Sequence, residues 1–111
     1  MSNCLFCRIV AGELPAEIVH QDEHCIVFKD INPRARVHLL VIPREHIESL
    51  DAVQPEHAAL MAHMMLLLPE LARQQGLDNG FRTIINTGKG GGQEVFHLHI
   101  HLLGGGALPG F

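Results

Sequence analysis

The segment His97-Leu98-His99-Ile100-His101-Leu102-Leu103 constrains this chain more than any other. Successive side chains of a β-strand point to opposite faces, so this order sends three imidazoles one way and Leu98, Ile100 and Leu102 the other. The aliphatic face needs a core to cover it. The imidazole face is free for chemistry. A chain of 111 residues, 47% of them apolar, can bury roughly two-thirds of its unfolded surface but has too little core to divide, so one domain over 1–111 is expected.

The rest of the chain supplies partners for such a strand. Leu5, Phe6, Ile9 and Val10 recur at helical spacing before Gly12 and Pro15, predicting a short N-terminal helix. Strand-like runs follow at 17–20, 24–29 and 37–42, the first two separated by Gln21-Asp22-Glu23. From Pro55 onward, Leu60, Met61, Met64, Leu67, Leu68 and Leu71 share one helical face, with Pro55 suited to the first turn and Gly76 to the C-terminal cap. Pro69 lacks a backbone donor and is expected to kink the last turns of this long helix. Strands at 81–87 and 95–103 flank the glycine-rich loop 88–92. The expected class is α+β, an antiparallel sheet of about five strands with one short and one long helix.

Charge and composition exclude several roles. The net charge of −4 spreads eight Lys and Arg without a basic run, which argues against a nucleic-acid groove. No secretory signal is readable at Met1-Ser2-Asn3-Cys4, and the greasy stretch near Met64 to Leu68 is too short to span a bilayer. The expectation is a cytoplasmic protein without a membrane role. Three cysteines then read as thiols or metal ligands rather than a disulfide framework.

Three imidazoles in register suggest either a metal site or phosphoryl chemistry. Alternate strand residues lie about 6.7 Å apart, so His97 and His101 are separated by about 13 Å and one ion cannot take all three. A neutral imidazole is, however, a good nucleophile near pH 7, and its neighbours can donate hydrogen bonds to phosphate oxygens. Glycines at 88, 90, 91 and 92 permit close approach of backbone N–H groups to an anion. This is no Walker-A loop, because Lys89 precedes glycine and no helix follows.

His-x-His-x-His followed by two apolar residues resembles the histidine-triad (HIT) superfamily. The stretches Phe28-Lys29-Asp30-Ile31-Asn32-Pro33, His38-Leu39-Leu40-Val41-Ile42-Pro43 and Gly91-Gly92-Gln93-Glu94-Val95-Phe96 look like its Hint branch, the nucleoside phosphoramidases. The resemblance covers nearly the whole chain and implies a HIT-like fold. It implies that His99 is the nucleophile and becomes transiently nucleotidylated, that His101 contacts phosphate and leaving group, and that His38 joins the proton relay. Asn86 and the backbone of Gly92, Gln93 and Glu94 would hold the phosphate. Position 94 is Glu where some relatives carry a phosphate-binding serine, so contact there relies on backbone N–H. Asp30 would accept hydrogen bonds from the ribose, and Leu5, Phe6, Ile9, Phe28 and Ile31 would form a purine slot, although apolar residues at those places would be core in any fold. The tail from Gly104 to Phe111 lacks the tryptophan found near the end of many relatives.

The implied activity is hydrolysis of nucleoside 5′-monophosphoramidate-type substrates on purine nucleotides, with no metal needed for the chemical step. Two other readings share these residues: a zinc-stabilised nucleotide-binding or adaptor module without turnover, and a dinucleoside polyphosphate hydrolase. The resemblance also implies a homodimer pairing the long helix and the strand before Gly88 across a two-fold axis.

Cys4-x-x-Cys7 has zinc-knuckle spacing and needs two further ligands. Some histidine-triad proteins with such a pair bind zinc through the histidine after the third strand and the first of the triad, here His46 and His97. That would make zinc a structural cofactor and His97 a ligand. The alternatives are a redox pair, which lacks the surrounding βαβ pattern, and two ordinary buried thiols. Cys25, alternating with Val27, reads as core, and His20, His24, His57 and His63 receive no function.

Overall fold

The structure, a computed structural model, describes residues 3–110, so Phe111 at the end of the glycine-rich tail lies outside it. Cys4 caps helix α1 (Leu5–Val10) by accepting the Cys7 N–H on its sulfur at 3.3 Å. The chain then forms β1 (Ile18–Gln21), β2 (Cys25–Lys29) and β3 (Val37–Pro43). Helix α2 (Ala58–Gln74) follows a short 3₁₀ turn (Pro55–His57). Strands β4 (Arg82–Ile84) and β5 (Ile100–Gly104) complete one antiparallel five-stranded sheet of order β1-β2-β3-β5-β4. The last strand is therefore not an edge. It sits between β3 and β4, with Leu40 opposite His101 on one side and Ile84 opposite His101 on the other.

Alternation sorts each strand onto two cores. Cys25 and Val27, Leu39 and Val41, and Ile100 and Leu102 pack with Met64, Leu67, Leu68 and Leu71 of α2. Ile26, Phe28, Leu40 and Ile42 point the other way and pack with Phe6 and Ile9 of α1. The histidine face lies on this second, α1 side, where His38 and His101 are diagonal neighbours across β3 and β5.

Several expected boundaries move. The last strand begins at Ile100 rather than residue 95, because the preceding backbone bonds elsewhere: Leu98 N–H donates to the Ile47 carbonyl at 2.7 Å, and the His97 carbonyl is occupied by the His99 ring. The fourth strand is confined to Arg82–Ile84, short of the expected 81–87. The long helix continues through Pro69 to Gln74. The carbonyl that Pro69 leaves without a donor belongs to Met65, a residue 49% exposed, where water can serve it. His57 completes a capping box on the preceding 3₁₀ turn, its Nδ1 accepting the Gln54 N–H at 2.9 Å. Among the described residues no helix is long and apolar enough to cross a membrane.

Leu71 is fully buried at the centre of the α2-side core. Leu71→Ala should cost about 2–5 kcal/mol, the usual range for a buried leucine truncated in a packed interior, and chemical denaturation of the two chains measures it.

Candidate active site and metal-ligand cluster

Residues 97–101 serve two clusters on the α1 side of the sheet. In the first, His99 Nδ1 lies 2.7 Å from the His97 carbonyl. A carbonyl can only accept, so the ring proton is on Nδ1 and the Nε2 lone pair is free. His99 Nε2 has no hydrogen-bond partner among the described residues. The Phe6 ring meets His99 edge-on at 5.1 Å, and His101 lies 5.0 Å from it, centroid to centroid, which fixes the plane of the imidazole.

The tautomers of His38 and His101 follow by the same elimination. Arg34 N–H donates to His38 Nδ1 at 3.0 Å, so neutral His38 carries its proton on Nε2. That Nε2 faces His101 Nδ1 at 2.9 Å, which leaves the His101 proton on its own Nε2. Sequence reasoning did not find Arg34, because its contribution is a main-chain N–H and no side-chain pattern marks it. Asp30 approaches His38 Nε2 at 3.5 Å through one oxygen while the other accepts the Asn32 N–H at 2.8 Å.

Burial, followed by the charges of His99 and His38, pushes His101 from 6.5 down to about 4 against the opposing pull of Asp30. His38 is lowered chiefly by burial, which outweighs Asp30. At neutral pH both rings are uncharged.

The glycine-rich loop bonds in large part to itself. Gly92 N–H donates to the Lys89 carbonyl and Gln93 N–H to the Gly88 carbonyl, each at 3.0 Å, closing a 3₁₀ turn that ends with Gly92 at φ 84°. The buried Gln93 amide accepts from Gly88 N–H at 2.8 Å and donates to the carbonyls of Glu48 and Val95 at 2.9 and 3.0 Å. Gly92 and Gln93 therefore shape the loop. Of the Gly92, Gln93 and Glu94 N–H groups, that of Glu94 makes no hydrogen bond among the described residues. Half-buried Asn86 follows two residues after Ile84, the β4 partner of His101.

The five apolar residues also divide. Phe6, Ile9 and Phe28 are buried together in the α1-side core, with Phe6 and Phe28 edge to face at 5.5 Å. Leu5 and Ile31 are 47% and 89% exposed, so only these two are open to solvent.

In the second cluster, Cys4 and Cys7 converge on His46 and His97. Cys4 Sγ and Cys7 Sγ lie 3.3 and 3.5 Å from His97 Nδ1, Cys7 Sγ lies 3.2 Å from His46 Nδ1, and the two Nδ1 atoms are 3.3 Å apart. A tetrahedral ion with bonds of about 2.3 Å to sulfur and about 2.05 Å to nitrogen would set its ligands about 3.6 Å (S to N) and about 3.3 Å (N to N) apart. The spacing fits that geometry. His97, fully buried, donates Nε2–H to the Pro43 carbonyl at 2.8 Å, which leaves its Nδ1 lone pair aimed into the cluster. Burial holds this ring below the ordinary histidine range. Cys25 stands apart in the opposite core, as its strand position implied.

The family described as scavenger mRNA decapping enzyme C-terminal binding matches residues 3–107. Protein HitA of Neisseria gonorrhoeae is 58% identical, over 94% of this chain and 97% of its own. The chain belongs to the histidine-triad family. A HIT family hydrolase from Legionella pneumophila superposes with a TM-score of 0.94 at 44% identity, covering 96% of each chain. A zinc-bound histidine triad family protein from Mycobacterium smegmatis gives 0.79 at 40% identity, over 91% of this chain and 73% of its own. The fold is that of a HIT family hydrolase.

The protonation states carry a consequence for stability. Histidine titrates near 6.5 in an unfolded chain but lower in these buried sites, so acid favours the unfolded state. The His101 contribution is complete above about pH 6.5 and is lost as the pH falls toward about 4. Thermal melts across this window should fall steeply for the native chain and less steeply for His101→Gln; parallel curves would exclude His101 as a source.

Proposed function

We propose that this protein hydrolyses nucleoside 5′-monophosphoramidate-type substrates through a nucleotidyl-His99 intermediate. The observation that carries the reading is the bond from His99 Nδ1–H to the His97 carbonyl, which leaves the Nε2 lone pair free beside the His101 ring. In the first step His99 Nε2 bonds to phosphorus while the bond from phosphorus to the leaving nitrogen breaks. The leaving nitrogen keeps that electron pair and takes a proton through His101 Nε2, which solvent replenishes. A docked phosphate anion favours the proton-bearing form of His101 and so assists this transfer. Water then attacks phosphorus, the bond to His99 breaks, and the surplus proton returns to solvent, releasing nucleoside monophosphate and amine.

The remaining residues bind and orient. Asn86 and the Glu94 N–H would hold phosphate oxygens, and Asp30 is suited to ribose hydroxyls through its oxygen not bonded to Asn32. His38 holds His101 in the tautomer that donates from Nε2. Ile31 and Leu5, being exposed, are the apolar residues open to a purine, and Phe6 supports His99 from the core side. The reading includes a homodimer formed through α2 and the open edge of β4, and a cytoplasmic location.

His99→Ala should lower amine release from an adenosine phosphoramidate by at least about a thousandfold, as loss of a covalent nucleophile does. Mixing the native chain with labelled substrate and quenching without acid should trap label on a histidine. Undiminished turnover in the variant would sink the mechanism, and nucleotide binding without label or turnover would leave an adaptor module. Dinucleoside polyphosphates in the same assay test the alternative substrate class.

We further propose that Cys4, Cys7, His46 and His97 hold one structural zinc. The two-sulfur, two-nitrogen donor set and the ligand spacing support it, as does the zinc-bound relative. When bound, the ion would supply folding free energy by stapling the start of α1 to the residues after β3 and before β5. Protein purified without chelator should carry about one zinc per chain. Cys4→Ser with Cys7→Ser should melt lower and bind nucleotide more weakly while still labelling at His99; near-zero metal with a melting curve unmoved by chelator would make the cysteines ordinary thiols.

A further inference from the structure

Cys4 and Cys7 are held one helical turn apart at the start of α1. The Cys4 carbonyl accepts the Arg8 N–H at 3.1 Å, and the Cys4 sulfur accepts the Cys7 N–H at 3.3 Å. Cys4 therefore lies on the helical path, where residues three apart have Cα atoms about 5 Å from one another. That is within the span of about 4.4–6.8 Å that a disulfide bridges. The two sulfurs lie within 4.8 Å of each other and of the His46 and His97 ring nitrogens. Joining them asks for side-chain rotation rather than a rebuilt backbone.

The pair is also within reach of a small reagent. Both cysteines are half-buried, and they line a surface cavity of about 600 Å³ together with Leu5, His46, Glu48 and Phe96. Cys25 is the opposite case. It is fully buried in the α2-side core, and burial, followed by the Asp22 charge, pushes its thiol up to about 12. A thiol that stays enclosed and protonated is inert toward oxidants, because the thiolate is the reactive form. Of the three cysteines, the two that a reagent can reach are thus the two placed to bond to one another.

We propose that Cys4 and Cys7 form a reversible redox switch, closed to a disulfide by peroxide, that governs metal retention at the start of α1. One sulfur attacks a peroxide oxygen, the O–O bond breaks, and a sulfenic acid and water result. The other sulfur attacks the sulfenic sulfur, the S–O bond breaks, and the hydroxyl leaves as a second water. The sulfurs give up two electrons and the peroxide takes them. The protons of both waters come from the peroxide and the thiols, or from solvent where the thiolates held a metal. A disulfide offers no thiolate, so the cluster falls to His46 and His97, too few ligands to hold zinc tightly. The start of α1 is then no longer stapled to His97, whose carbonyl orients His99. Metal release rests on the zinc proposed above, whereas disulfide formation does not.

Peptide mapping of the native chain tests this without a variant. The full chain, one sample loaded with zinc and one stripped by chelator, is treated with hydrogen peroxide, alkylated and cut with trypsin. Cleavage after Arg8 and Lys29 puts Cys4 and Cys7 together in peptide 1–8 and Cys25 in peptide 9–29. In both samples peptide 1–8 should lose two hydrogens and escape alkylation, at least about tenfold faster than Cys25 is modified, and dithiothreitol should restore both thiols. In the loaded sample, zinc captured by a chromophoric chelator should appear in step with the disulfide. Oxygen added to the sulfurs of peptide 1–8 without loss of hydrogens, or a disulfide that joins two chains, overturns the switch. A disulfide that forms while the loaded chain keeps its zinc overturns the link to metal retention. A chain that takes up no zinc yet forms the disulfide keeps the thiol chemistry and overturns the metal half together with the zinc reading.

Discussion

The backbone carbonyl of His97 is where the two clusters meet. By accepting the His99 Nδ1–H at 2.7 Å it selects the tautomer of His99 and turns Nε2 outward. The same residue donates from its ring to the Pro43 carbonyl and aims Nδ1 at Cys4, Cys7 and His46. Main chain and side chain of one residue thus set the tautomer of His99 and complete the candidate metal cage. Displacing this segment would disturb both. The departure from regular strand pairing before Ile100 follows from the same bond, since a carbonyl occupied by an imidazole is not offered to a neighbouring strand.

Stability and chemistry are divided between the faces of one sheet. The α2 side is aliphatic, with Leu98, Ile100 and Leu102 under Met64, Leu68 and Leu71, and it provides an apolar burial that the α1 side cannot match. The α1 side accommodates His38, His97, His99 and His101 because Phe6 meets His97 and His99 edge-on and because each ring nitrogen facing the interior has a partner. Buried imidazoles are tolerable when neutral and hydrogen-bonded. Placing β5 between β3 and β4 gives the histidine strand paired neighbours on both sides, so His38 can reach His101 from one flank while the chain carrying Asn86 leaves from the other.

Much of this was legible before any coordinates. Alternation in 97–103 and the apolar face from Leu60 to Leu71 determine which side chains share a face locally, because side-chain direction follows from backbone geometry alone, although only Ile100–Gly104 pairs as a strand. They also determine which atoms belong to the core: Leu98, Ile100, Leu102, Met64 and Leu71 are all buried. The Cys4 and Cys7 spacing was visible as a ligand pair for the same reason, a single helical turn bringing two sulfurs together. What the linear order leaves open is every long-range pairing. The convergence of Cys7 on His46, the His38 to His101 bond and the meeting of His63 with Asp22 join residues 39, 63 and 41 positions apart. So do the availabilities of individual donors. Gly92 and Gln93 carry N–H groups that any sequence reading offers to an anion, and only the closed turn shows that they are already taken. The period of a strand is a property of the chain, but a hydrogen bond depends on where a second segment arrives, and that is decided by the packing of the whole sheet.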